Sequence, residues 1–429
     1  MHNLKQDMLE IIHSSINAVL PENAVKEALS NPAFTARKNK GNIIVASIGK
    51  AAWRMAKAAS DILGSNITGA VVTKYEHSMG NISGLEIYEA GHPVPDENTI
   101  KGTKALLEHV KNLSHDDTVL FLVSGGGSAL FELPAKGVSL DDMQDITGQL
   151  LACGADIIEI NTVRKHLSSV KGGRFAELCK PAHVFMVVLS DVLGDRLDSI
   201  ASGPAAPDLS TSDEALAIVK KYNLRIKPEL LNVLALETPK SLCNVTPVIT
   251  GSVTALCQAA GDSARSKGYN PLVLTTALNC EARDAGSFMA SIAREIKTSG
   301  RPVNAPCAII AGGETVVHLT GHGMGGRNQE FALSAALGIA GLHDIVIASL
   351  GSDGTDGPTD AAGGIVDGMT AFILRDKGIS IPDVLKNNDA YNALKIADAL
   401  LMTGPTGTNV NDVAIALIAA NSNTAVTQA

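Results

Sequence analysis

The sequence predicts an α/β protein of two domains, and three observations predict it. Short, continuous apolar runs alternate along the chain with longer segments of helical periodicity. Runs without a polar residue at every second position suit parallel strands covered on both faces. At 429 residues the chain also exceeds one ordinary core, and the alternation restarts after Lys227–Thr246, a stretch with two prolines and mixed polarity. The division read from this is 1–240 and 241–429.

Each element has a local reason. Leu4 to Leu20 carries Leu4, Met8, Ile11, Ile12, Ile16 and Val19 at helical spacing with Asp7 and Glu10 between them, which reads as an amphipathic helix and not a signal peptide. Asn42–Ser47 is a short strand that ends at Ile48-Gly49-Lys50-Ala51, and an alanine-rich helix follows to Leu63. Ala70–Thr73 and Leu85–Glu89 are further strands; Gly91-His92-Pro93-Val94-Pro95-Asp96 breaks the chain before a helix from Thr99 to Leu113. Thr118–Val123 is a buried strand that empties into Ser124-Gly125-Gly126-Gly127-Ser128.

Ser139-Leu140-Asp141-Asp142 caps a helix running to about Cys153, and a second helix covers Ile157–Ser168, its tail rich in cations beside glycines. Val184–Leu189 is a strand leading to Ser190-Asp191, and Ser212–Tyr222 a helix. In the second half the strands are Val248–Thr250, Leu272–Thr276, Ala308–Ala311 and Ile345–Leu350. The helices are Val253–Lys267, Glu281–Lys297 and Gln329–Leu337, with a hairpin-like Thr315–Leu319 between.

Composition excludes several classes. Forty-four acids against thirty-five bases, a formal charge of −9, and 3% aromatic residues argue against a nucleic-acid surface. No apolar run has the length of a membrane span. Six scattered cysteines without C-x-x-C spacing, most in apolar segments, read as small core residues of a cytoplasmic protein.

Four glycine-rich loops fall at strand ends: Ser124–Ser128, Gly312-Gly313-Glu314, Gly351–Gly357 and Gly404–Asn409. Glycine admits φ > 0 and close backbone approach, and successive N–H groups in such turns form an anion-binding concavity. The plain alternative is a tight strand-to-helix turn with no ligand. Asp191, Glu314, Asp353 and Asp356 stand at strand ends, where each suits a Mg²⁺ ligand, a base for a substrate hydroxyl, or only a turn residue. Lys50 and Arg327, the latter in Gly325-Gly326-Arg327-Asn328-Gln329-Glu330, are cations delivered by glycine loops and suit phosphate or carboxylate. His318 and His322 stand four apart but without the acid of H-E-x-x-H, and with His92 and His166 isolated no zinc site is expected.

These motifs resemble the glycerate 2-kinase family, whose members were formerly often labelled hydroxypyruvate reductases. The likeness runs in order over nearly the whole chain. It includes Ser47–Ala51, Gly91–Pro95, Val123–Ala129, Asn161–Ser168, Leu189–Val192, Ser202–Pro204, Gly312–Thr315, Gly325–Glu330, Gly351–Asp356 and Thr406–Asp412. The resemblance implies two α/β domains, the first Rossmann-like, with the active site in the cleft between them. It implies an ATP-dependent, Mg²⁺-requiring kinase acting on the 2-hydroxyl of D-glycerate.

Carried over by motif, Lys50 and Arg327 become the catalytic cations, and Asp191, Glu314, Asp353 and Asn409 line the cleft; the chemistry makes Asp191 the candidate base or Mg²⁺ ligand. Ser124, Gly125, Gly126, Gly127, Ser128, Glu314 and Asn409 become nucleotide contacts, and Asp191, Glu314 and Asp353 candidate Mg²⁺ ligands. Of Lys50 and Arg327, one neutralises the transferring phosphate and the other holds the glycerate carboxylate. No nucleic acid or membrane partner is expected, and the oligomeric state is open, with a homodimer as candidate. Two rival readings remain. An NAD(P)H-dependent hydroxypyruvate reductase would show G-x-G-x-x-G after its first strand, which Ile48-Gly49-Lys50-Ala51-Ala52 does not. A non-catalytic anion or nucleotide sensor would keep the loops without needing both cations and all four acids.

Overall fold

The computed structural model describes residues 4–64 and 66–420. They pack as two units: one built from Pro21–Thr250, the other from the first twenty residues together with the chain from Gly251 onward.

In the unit of residues 21–250 the strands are β1 (Ile43–Ile48), β2 (Ile67–Lys74), β3 (Leu85–Ala90), β4 (Thr118–Val123), β5 (His183–Leu189) and β6 (Val245–Gly251). They form one sheet in the order β3-β2-β1-β4-β5-β6, with parallel ladders between β1 and β2, β1 and β4, β2 and β3, and β4 and β5. Every residue of β1 and β4 is buried, which is why neither strand shows polar alternation. This is the Rossmann-like parallel sheet expected. Its order reverses between β1 and β4, so the crevice beyond their carboxyl ends is the topological switch point, where open α/β sheets bind ligands. Beneath that crevice Phe121 of β4 packs on Phe175 with ring centroids 4.6 Å apart, and Phe131 meets Phe175 edge-on at 5.3 Å. Phe131 directly follows the glycine loop, so the core holds the loop's far end.

The second unit is also α/β, but its sheet is mixed, against the expectation of parallel strands. Its strands are β7 (Asn270–Leu278), β8 (Cys307–Gly313), β9 (Ile345–Gly351), β10 (Gly363–Asp367), β11 (Leu400–Leu401) and β12 (Asp412–Ile418), in the order β11-β10-β9-β12-β8-β7. Only β7 and β8 pair in parallel; β12 runs antiparallel to both β8 and β9, and β10 antiparallel to β9. A buried apolar run such as Val413–Ile418 reads the same in either direction, so sequence pattern does not report this reversal. The consequence is local and large. The first residue of β12, Asp412, pairs with Gly313 at the end of β8 and Gly351 at the end of β9. The Gly404–Asn409 loop thus runs from the short β11 into β12, and three glycine loops meet at one sheet end.

Other expectations shift as well. Thr315–Leu319 is no hairpin; Val316 makes a single parallel bridge to Glu281. Strand β6 lies beyond residue 240 yet completes the first sheet. The amphipathic N-terminal helix spans Leu4–Ala18 and buries Met8, Ile11, Ile12 and Ile16. It packs in the second unit, where Asp7 accepts hydrogen bonds from Tyr269 Oη at 2.8 Å and Lys267 Nζ at 3.3 Å. Cys179, Cys257 and Cys307 are buried core residues, but Cys153, Cys243 and Cys280 are exposed; all six are unpaired. Among the described residues no helix is long and apolar enough to cross a membrane.

Candidate active site

At the switch point of the first unit, the turn after β1 and the loop after β4 are stitched together. Lys50 N–H donates to Gly125 O at 2.9 Å, Ala51 N–H to Ser124 Oγ at 3.0 Å, and Ser124 N–H to Ile48 O at 3.0 Å. The approach demands glycine: a Cβ on Gly49, whose φ is +111°, would lie 2.4 Å from Ser124. Gly126 adopts φ +85°, and a Cβ there would lie 2.9 Å from the His92 ring and 3.2 Å from Lys50 Cγ. The Lys50 and His92 side chains therefore lie over the glycine loop. A Cβ on Gly125 would meet Asp191 Oδ2 at 2.2 Å, which puts that carboxylate against the loop as well.

Burial, then the charges of Lys50, Lys74 and His77, hold His92 below the ordinary histidine range. Beyond the loop, Ser128 Oγ pairs with Ser202 Oγ at 3.0 Å, and Ser202 donates to Asn161 Oδ1 at 3.0 Å. Ala201 and Ser202 both hold φ above +50°, strained for residues with a Cβ, and this turn sets Ala201 against Gly127.

The second unit gathers its own set. Arg327 is the first residue of the helix Arg327–Gly338. Its Nε and Nη2 donate to Asp412 at 2.5 and 3.1 Å, and its Nη1 donates to Glu314 Oε1 at 2.9 Å. Burial opposes the guanidinium's charge, but the two carboxylates raise its pKa overall. Burial also raises the Asp412 carboxyl, even with Arg327 bound.

The helix start lacks a side-chain cap of its own, because residue 326 is glycine. Asp356 supplies it from a distant loop, accepting from Gln329 N–H at 2.8 Å and Asn328 N–H at 3.1 Å. Any Cβ on Gly326 would collide with that carboxyl at 2.3 Å. A cavity of about 740 Å³ opens here, lined among others by Arg327, Ser352, Asp353, Asp356, Asn409 and Asp412. Asp353 Oδ1 and Asp412 Oδ1 flank Gly351, 3.2 and 3.5 Å from where its Cβ would be.

Asp356 yields a pH prediction. Burial first, and the Asp412 carboxylate after it, push its carboxyl up to about 6 against the pull of the helix amides. A carboxyl that holds its proton more tightly folded than unfolded costs stability as pH rises from about 4 to about 6, by roughly 3 kcal/mol at pH 7. In Asp356→Asn that cost is absent. The difference in unfolding free energy between variant and wild type should move by about 2.4 kcal/mol in the variant's favour between pH 4 and pH 7, read by denaturant titration.

The structure thus assembles Lys50, Ser124–Ser128 and Asp191 in one unit, and Glu314, Arg327, Asp353 and Asn409 in the other. Glu314 does not line the cavity but steadies Arg327. Sequence reasoning did not single out Asp412, the main partner of Arg327, or the placing of His92 over the loop. Asp412 closes the family-like stretch Thr406–Asp412 and His92 lies within Gly91–Pro95, but neither stretch by itself assigned them a role. Among the described residues no group of three or more His, Cys, Asp or Glu is arranged to hold a metal by itself.

Residues 7–235 match a family model described as a domain of unknown function, DUF4147, and residues 307–412 match the MOFRL family. D-glycerate 2-kinase of Thermotoga maritima is 57% identical over 417 residues, covering 97% of this chain and 99% of that protein. Glycerate 2-kinase of Pyrococcus horikoshii is 45% identical over 390 residues, 88% of each. The crystal structure of glycerate kinase from Thermotoga maritima superposes with a TM-score of 0.93, covering 97% of this chain and 99% of that one.

Proposed function

The chain belongs to the glycerate 2-kinase family, and from that premise we propose how it transfers the γ-phosphoryl group of ATP to the 2-hydroxyl of D-glycerate. The bond from the γ-phosphorus to the β–γ bridging oxygen breaks as the bond to the glycerate oxygen forms. Such transfer needs positioning and charge neutralisation more than covalent help. The observation that carries the residue-level reading is Lys50 lying over a glycine loop at the switch point of a parallel sheet.

The Ser124–Ser128 loop and Lys50 receive the nucleotide phosphates, and Asp191, held against the loop, accepts the hydroxyl proton. Arg327, anchored by Asp412 and Glu314, presents its outer N–H groups to the phosphoryl group or the glycerate carboxylate. Asn409 contributes from the cavity wall.

Mg²⁺ is the metal proposed. The residues fit the way it binds, through one or two carboxylates completed by phosphate oxygens, because the Asp353 and Asp412 carboxylates flank one glycine. When bound it would neutralise phosphate charge. The cytoplasmic location is supported by six unpaired thiols. The homodimer remains a proposal for sedimentation to decide. The reductase reading lacks its nucleotide fingerprint and is not favoured.

The deciding assay mixes the protein with D-glycerate, ATP and Mg²⁺, and couples product directly to enolase. Signal without a mutase is the expected result, because enolase takes 2-phosphoglycerate. Signal only after phosphoglycerate mutase is added would mean transfer to the 3-hydroxyl. No ADP, with NADH consumed on hydroxypyruvate, would overturn the kinase reading.

A further inference from the structure

The glycine loop ends in a single tight turn, Gly127–Leu130, whose amides are closed by Leu130 N–H to Gly126 O and Phe131 N–H to Gly127 O. Two carbonyls at its far side converge on one atom. Lys171 Nζ donates to Ser128 O at 2.8 Å and to Phe131 O at 2.7 Å. Its third neighbour is Glu132 Oε2 at 3.4 Å. Lys171 is 0% exposed and Glu132 1%. Glu132 is itself tied down: its Oε1 accepts from Leu133 N–H at 3.0 Å and from the Ser168 hydroxyl, and its own N–H donates to Thr103 Oγ1 at 3.2 Å.

A charge pair this deep is poorly explained by stability, since apolar side chains of the same volume usually serve a core as well or better. Burial drags the ammonium down to about 8 despite Glu132, which shows how much the fold opposes the charge here. What an apolar side chain cannot do is draw two carbonyls of one turn to a single point. The other end of the loop is already fixed by Lys50 N–H and Ala51 N–H.

We infer that Lys171 is a positioning residue, which clamps the turn from beneath and holds the Ser124–Ser128 loop in its anion-receiving shape. The inference rests on the reading of that loop as the site of the nucleotide phosphates.

Lys171→Met alone would leave Glu132 buried without its partner, so the informative variant is Lys171→Met with Glu132→Gln. Glutamine keeps an acceptor for Leu133 and Ser168 while removing the charge. The pair should melt within a few degrees of wild type, yet show a KM for ATP raised about tenfold with a smaller change in kcat. A KM within twofold of wild type in that folded variant overturns the inference. Gly126→Ala, which sets a methyl against His92, separates the two readings. If it too leaves the KM for ATP unchanged, the loop does not hold the nucleotide and the inference falls with it. Wild-type protein offers a test without substitution: the amides of Leu130 and Phe131 should exchange as slowly as those of β4. Loop-like fast exchange there would overturn the clamp.

Discussion

Arg327→Ala should lower kcat/KM for glycerate about 10³-fold or more, the scale on which a guanidinium that stabilises transferring phosphate acts. The variant needs a companion, because the guanidinium also neutralises Asp412, which is 7% exposed. Leaving that carboxylate alone should cost about 3–5 kcal/mol of stability. Arg327→Ala with Asp412→Ala removes both charges and should regain much of the stability but none of the activity. Arg327→Lys should recover little, since one ammonium cannot reproduce a fork that grips Asp412 by two nitrogens and Glu314 by the third. Steady-state kinetics at saturating ATP, beside melting curves, reads both effects. Wild-type kcat/KM in a folded Arg327→Ala would remove the residue from the chemistry.

Lys50→Met should show the complementary pattern: a fall in kcat/KM of about 10²- to 10³-fold with little loss of stability. Among the described residues no carboxylate is ion-paired to its ammonium, so no buried partner is orphaned, and methionine keeps most of the stem. Its backbone contacts to Gly125 and His77 survive the substitution. The loss should therefore appear in the kinetics and not in the melting curve. A variant that binds ATP and turns over as wild type does would leave the glycine loop without its cation.

The two units differ in how far their sequence announces them. β1 and β4 are legible because burial on both faces makes them unbroken apolar runs, and Gly49 and Gly126 are legible because only glycine suits those turns. Lys50 and Arg327 stand out by their glycine contexts. The reversal of β12 was not legible, because pairing direction leaves no trace in a run such as Val-Ala-Ile-Ala-Leu-Ile, and with it went the reason Asp412 reaches Arg327. The cap that Asp356 provides was hidden likewise: the bare Gly326 is visible, but the acid that fills its place comes from another loop. Lys171 reads in sequence as one more surface cation beside glycines. Its burial is a property of the three acceptors around it, two of them backbone, which no composition records.

The helix Leu4–Ala18 leaves the ribosome before residues 21–250, yet it packs with the chain from Gly251 onward. All of residues 21–250 must be synthesised before its partner exists, roughly ten to fifty seconds at common elongation rates. For that interval Met8, Ile11, Ile12 and Ile16 have no native surface to cover them, while the unit of residues 21–250 can finish folding. In terms of assembly, the molecule is one domain inserted into another just after the host's helix Leu4–Ala18. The host closes last, and a fragment beginning at Gly251 would lack a helix that its own fold requires.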